Sequence, residues 1–136
     1  MDNRTIMVCM TGYVEEIEKV ALANTYFRQV LYTGQHAQLV VMSLKVGEDI
    51  GIEIHAVTDQ FLRVEQGEGK VVMNGEEHSI VNGSAIIVPA GTEHNIINTS
   101  ADTDLKLYTI YSPPHHKDGT IHKTKQDAEA DNADHL

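Results

Sequence analysis

Turn residues punctuate this chain at short, even intervals, and that spacing does most to limit its fold. Asn74-Gly75 lies between KVVM and EEHSIV, and Asn82-Gly83 follows at once. An Asn-Gly pair between β-like runs favours a tight hairpin, because both residues accept positive φ in a type I′ turn. Gly67-Glu68-Gly69 turns the chain before KVVM, and SAIIVP, HNIINT and LKLYTIY continue the series. Upstream, FRQVLYT reads as a strand. QLVVMSLKV, from Gln38 to Val46, is an almost continuous apolar run of strand length. Gly47 and Glu48-Asp49 break it, and IGIEIH (Ile50 to His55) and QFLRVE (Gln60 to Glu65) follow. Short strands about 8 to 12 residues apart, with Gly or Asn at each turn, predict an antiparallel sandwich or barrel. Before them, VEEIEKVALAN at residues 14–24 carries Val14, Ile17, Val20 and Ala21 at helical spacing, with Asn24 as its stop. That predicts one short helix after a loose arm at residues 1–12.

A chain of 136 residues fits one domain, and 41% hydrophobic content supplies a core without staples. The single cysteine, Cys9, excludes an internal disulfide and a Cys-rich zinc site, and fits a reducing compartment. A net charge of −10 argues against nucleic acid and anionic membrane surfaces as partners, and its plain role is solubility. The early apolar run Ile6 to Met10 is too short for the apolar part of a secretion leader, and no run reaches a membrane span. A cytoplasmic location is therefore expected.

The segment GIEIHAVTDQF, residues 51–61, carries the chemistry. On a strand, Glu53 and His55 share one face and Ile52 and Ile54 the other. Taken alone, this predicts Ile52 and Ile54 in the core and Glu53 and His55 in water. PAGTEHNIIN, residues 89–98, shifts that balance. It places His94 and Asn98 on one strand face after a Pro-x-Gly turn, where Pro89 fixes φ and Gly91 permits a tight bend. Two histidines, a carboxylate and an amide then converge in the mouth of a small barrel. Two imidazoles and one carboxylate are a standard set for a single metal ion with open positions.

These residues resemble the motifs of a cupin, specifically a small single-domain cupin. The family's first motif is G-x5-H-x-H-x3,4-E-x6-G. Gly47, Glu53, His55, Gln60 and Gly67 reproduce its spacing. The second, G-x5-P-x-G-x2-H-x3-N, is met at every position by Gly83, Pro89, Gly91, His94 and Asn98. Together they span residues 47–98, with residues 68–82 between them. The first motif departs in chemistry: Glu53 stands where the family has its first His, and Gln60 where it has Glu. Both replacements keep an oxygen donor, and the carboxylate has moved rather than vanished.

The resemblance implies an all-β fold, an antiparallel double-sheet jelly-roll barrel, with a short N-terminal helix or arm and a polar C-terminal tail. The expected boundaries are residues 1–26 for the arm and helix, 27–114 for the barrel and 115–136 for the tail. It implies Glu53, His55, Gln60 and His94 as ligands of one divalent metal ion. The harder donor set tilts toward Zn, Mn or Fe and away from copper. It implies a homodimer too, which exposed apolar sheet surface on so small a barrel would also favour. The fold hosts many activities. The leading expectation is a metal-dependent enzyme of isomerase or lyase type on a small sugar-like or oxygen-rich substrate. The alternatives are an Fe(II) dioxygenase built on His55, His94 and Glu53, and a non-catalytic ligand- or metal-binding module.

The tail after Pro113-Pro114 holds four of the eight histidines, and residues 126–136 read as disordered or weakly helical. A His-rich loop folding over the barrel mouth would offer His115, His116 or His122 as general acid or base, against the plainer expectation of an exposed polar tail. Of Tyr108 and Tyr111, three apart on a strand, only one can line the cavity. Asp59 and His78 are expected at the surface, His36 in a turn, and Arg63 with Glu65 in a cross-strand ion pair.

Overall fold

A computed structural model describes residues 11–134. The expected arm at residues 1–12, with Cys9, lies almost wholly outside the described residues, and so does His135. The elements run α1 (Ile17–Ala23), β1 (Arg28–Thr33), β2 (Gln38–Leu44), β3 (Asp59–Gln66), β4 (Glu68–Met73), β5 (Glu76–Val81), β6 (Ala85–Val88), β7 (His94–Asn98), β8 (Leu105–Ser112), β9 (Ile121–His122) and α2 (Lys125–Ala130). A six-stranded sheet in the order β6-β3-β8-β2-β1-β9 faces a three-stranded sheet in the order β5-β4-β7. Pairing is antiparallel throughout the described ladders. This is the double-sheet jelly-roll barrel that the turn spacing and the motifs led to.

The core lies between the sheets. Val40, Met42 and Leu44 of β2, Leu62 and Val64 of β3, and Leu105 and Leu107 of β8 pack with Val71, Ile86 and Ile96. Each such buried side chain contributes about 1.5–3 kcal/mol relative to exposure. The β4–β5 hairpin turns on Asn74 (φ 49°) and Gly75 (φ 84°), the pair of positive φ values a type I′ turn requires. At Gly69 the need is space. A Cβ there would sit 2.3 Å from the Ile97 carbonyl oxygen, so only glycine lets β4 approach β7.

Three stretches differ from the sequence expectation. The helix starts at Ile17 rather than Val14, because Glu16 stands at its N-cap and makes no side-chain capping bond. Val14 is left 93% exposed. Ile50–His55 is not a strand; it is pinned by two isolated bridges, Asp49 with Ile97 and Glu53 with His94. Here the faces invert. Ile52 and Ile54 are 73% and 58% exposed, and His55 is only 6% exposed. Held to β7 by isolated bridges rather than a continuous ladder, the segment lies along the barrel rim and buries His55 while Ile52 and Ile54 face out. Lastly, the segment expected as an exposed polar tail packs on the barrel. β9 pairs with β1, and α2 begins at a Thr124 side-chain cap to the Asp127 amide. His116, His122 and Asp134 are buried.

Asp59 and His78 are exposed, and His36 is exposed in the bend between β1 and β2. Arg63 does pair with Glu65, but along β3 rather than across strands, beside the register shift between Val64 and Gln66.

Candidate metal site at the barrel mouth

Two reciprocal backbone bonds assemble the centre. Glu53 N donates to His94 O and His94 N to Glu53 O, each at 2.9 Å. One turn further on, Gly91 N donates to His55 O at 2.8 Å, with Gly91 at φ 84°. The motif's Pro-x-Gly turn thus clips the rim segment to the start of β7. As a result, ligand atoms of Glu53, His55 and His94 all lie within 4.8 Å of one another, close enough to hold one metal ion.

The orientation of each donor has a cause. His94 Nδ1 lies 2.9 Å from the Thr92 carbonyl, to which it can only donate. That fixes the tautomer and leaves Nε2 as the lone-pair nitrogen. The His55 and His94 rings sit 5.0 Å apart. His55 Nε2 is buried and lies 3.4 Å from Glu53 Oε1, yet makes no hydrogen bond. Gln60, on β3 opposite Val88 and Tyr111, donates its Nε2 to Thr109 Oγ1 at 3.0 Å. Its Oε1 is buried with no partner. Buried polar atoms are almost always satisfied, so an orphaned imidazole nitrogen and an orphaned amide oxygen in one mouth are what a bound cation would complete.

The electrostatics agree. Burial would raise the Glu53 carboxyl, but the close His55 imidazole, with the charges of Arg28 and His115, holds it down at about 2. Burial pushes His94 below the ordinary imidazole value. Near neutral pH the pair is therefore one carboxylate and one neutral imidazole, the forms a metal ion needs.

The three tail histidines part company. His115 reaches the site: its ring lies 4.1 Å from His55 and stacks on Tyr111 at 5.4 Å. Gln38, fully buried on β2, holds this turn by accepting the amides of His115 (3.1 Å) and His116 (2.9 Å) and donating to the His116 carbonyl (2.7 Å). His116 sits one layer back, with Nδ1 3.0 Å from Asp134 Oδ1 and Nε2 3.4 Å from the Tyr111 hydroxyl. His122 belongs to another cluster, 3.0 Å from Asp131 and 3.5 Å from Asp134. That cluster also has metal-like spacing. However, the Arg28 guanidinium donates to His122 Nδ1 at 3.2 Å, and a fixed positive charge there disfavours a second cation. Tyr111 is the tyrosine that lines the mouth, while Tyr108 lies against Phe61.

Sequence reasoning missed Arg28, Gln38 and Asp134. Strand parity could have found the first two. Arg28 shares the inward face of β1 with Val30, and Gln38 shares that of β2 with Val40. Asp134 offered no periodic signal.

Comparison with known proteins places these features in a family. The cupin domain family matches residues 40–111. The uncharacterised protein YrkC of Bacillus subtilis is 52% identical over 124 residues, 87% of this chain and 66% of YrkC. The chain thus spans about two thirds of that relative. The crystal structure of BH2720 from Bacillus halodurans superposes with a TM-score of 0.86 at 47% identity, covering 88% of this chain and 94% of that one. A predicted oxalate decarboxylase from Thermotoga maritima superposes with a TM-score of 0.55 at 25% identity, covering 59% of this chain and 69% of that one. Among the described residues, no helix is long and apolar enough to cross a membrane.

Proposed function

The chain belongs to the cupin family, and on that premise we propose that it is a metal-dependent enzyme of isomerase or lyase type acting on a small, oxygen-rich, sugar-like molecule. Glu53, His55, Gln60 and His94 would hold one divalent ion of Zn, Mn or Fe. The observation that carries this reading is the convergence of Glu53, His55 and His94 with the buried Nε2 of His55 unpartnered, and the buried, unpartnered Oε1 of Gln60 supports it as a fourth donor. When bound, the ion supplies a Lewis acid that polarises a substrate oxygen.

The chain's own residues do the rest. The Glu53–His94 bridge sets the position of the donors, Thr92 and Thr109 fix the faces that His94 and Gln60 present, and Tyr111 walls the mouth. His115, half-buried against His55, is placed to take or return a proton at the mouth. His116 acts through Tyr111 and Asp134 as a support. His122, tied to Asp131, has no part in the chemistry on this reading.

The exposed Ile87 on edge strand β6, with Ile52, Ile54 and Val57 on the rim, supports a homodimer, which light scattering of the parent and of Ile87→Glu would test. A cytoplasmic location remains part of the proposal.

The site is tested by elemental analysis of the purified protein and of His94→Ala. Near-stoichiometric metal in the parent and its loss in the variant are expected. No metal in either, even after reconstitution, would sink the enzyme reading and leave a ligand-binding module. The two-imidazole, one-carboxylate set also fits an Fe(II) dioxygenase, and metal-dependent oxygen uptake restored only by Fe(II) would select that reading.

A further inference from the structure

Arg28 is a buried cation that feels the Glu53 carboxylate only beyond ion-pair distance. It is 5% exposed, and among the described residues no carboxylate lies within 4.0 Å of it. One nitrogen donates to His122 Nδ1, the guanidinium lies 5.2 Å from the Phe27 ring centre and interacts with the Tyr111 hydroxyl, and its Nε is buried without a hydrogen-bond partner. A buried guanidinium left unpaired costs several kcal/mol by the usual reckoning, so a fold that retains one has a reason to. The same Arg28 lines a cavity of about 130 Å³ that it shares with Phe27, Ile50, Glu53, Lys125 and Asp134. The cavity therefore joins a guanidinium with an unpartnered Nε to the first candidate metal ligand.

The other charges around it are already engaged. Lys125 is paired with Asp49. Asp134 accepts from His116 and faces His122. Glu129, the remaining acid of the lining, is exposed to solvent. Glu53 turns to the metal centre. Arg28 is left as the group whose charge the protein itself does not match at short range.

We propose that Arg28 is a specificity-determining residue that binds a carboxylate of the substrate, so that the substrate class is a small carboxylic acid spanning from Arg28 to the ion at Glu53. This rests on the metal reading above. A guanidinium is suited to this, because its planar N–H groups match a carboxylate and it stays charged at any working pH. A carboxylate fits within the cavity, where one water takes roughly 30 Å³.

The test is calorimetric titration of the metal-reconstituted protein with malonate and with its neutral isostere malonamide, metal content being measured on the same samples. The parent should bind malonate at least about tenfold more tightly than malonamide. Arg28→Gln should keep the parent's metal content and lose that preference, and Arg28→Lys should restore part of it. A metal-bearing parent without preference, or a preference retained in Arg28→Gln, overturns the inference and leaves the metal reading standing. If the parent takes up no metal, the metal reading fails. The same titrations on that protein still decide the role of Arg28, by whether malonate is preferred and the preference depends on Arg28. Should Arg28→Gln not fold, the Arg28 Nε–H resonance of the parent settles the matter. A shift with malonate and none with malonamide supports the inference, and no shift with either overturns it.

Discussion

Glu53 and His94 are joined through their backbones by two 2.9 Å hydrogen bonds, so their side chains leave one short antiparallel bridge side by side. The candidate metal site is thus set by main-chain geometry. Side-chain substitution at either position should remove a ligand without dismantling the rim. Glu53→Ala is expected to lose most bound metal while its circular dichroism, measured without metal, stays close to the parent's.

Metal loading should depend on pH with a defined sign. Burial lowers the pKa of His94, and Glu53 is held at about 2 by His55, Arg28 and His115 despite its own burial. Both ligands are therefore in their metal-binding forms at mildly acidic pH. His94 should therefore stay in its metal-binding form below the ordinary imidazole value of about 6.5, and loading should fall as pH drops through the lowered His94 value. The metal-free fold follows the same sign. The unfolded chain protonates His94 first, so this group costs stability once pH falls below about 6.5. Metal retained after dialysis at stepped pH, alongside urea unfolding of the stripped protein, checks both. Release beginning above pH 7 would contradict the picture.

Thr109 should matter to the metal without touching it. Its hydroxyl, fully buried, accepts Gln60 Nε2 and so decides which end of the amide is left for a cation. Thr109→Val removes that acceptor and is expected to weaken metal affinity about 10- to 100-fold, the usual penalty for losing a ligand's orienting partner. Thr109→Ser should restore most of it. A competition titration with a chromophoric chelator reads the difference.

The barrel was legible because its signals are local. Asn74-Gly75 and the Pro89–Gly91 turn declare themselves through φ, and the alternating burial of β7 follows from strand geometry. The donors Glu53, His55 and His94 were legible for the same reason, as fixed offsets from those turns. What escaped notice depended on distant pairing. The Ile50–His55 segment alternates like a strand, but only isolated bridges tie it to β7, and Ile52 and Ile54 face solvent. The last twenty or so residues are polar in composition, yet Asp134 is buried by His116 and His122, which lie 18 and 12 positions away. No periodicity encodes a contact of that kind.

Gly69→Ala tests the close approach of central strand β4 to edge strand β7. The added methyl would meet the Ile97 carbonyl oxygen at 2.3 Å, which is backbone and cannot swing aside. The β4–β7 ladder must open, and β7 begins at His94. Loss of about 1–3 kcal/mol or more is expected from overpacking of this kind, with weakened metal retention following from displaced His94. Urea denaturation and elemental analysis on one preparation measure both.

Gln38 is where the tail is fastened to the barrel, and its removal separates anchoring from chemistry. Its Oε1 accepts two successive amides, those of His115 and His116, while its Nε2 donates to the His116 carbonyl and to Thr33 Oγ1 at 2.9 Å. Gln38→Ala strands these partners in a site with no exposure, at a cost of at least about 2 kcal/mol. Glu53, His55, Gln60 and His94 keep their own supports, which come from β7, β8 and the rim. The variant should therefore still bind metal near stoichiometry, yet lose the fixed stacking of His115 against Tyr111 and His55. Histidine ring resonances of the stripped protein report that stacking directly. If His115 keeps its parent shift and titration in Gln38→Ala, the β9–β1 pairing, the Arg28–His122 bond and the Lys125–Asp49 pair suffice to hold the tail, and the anchoring role of Gln38 fails.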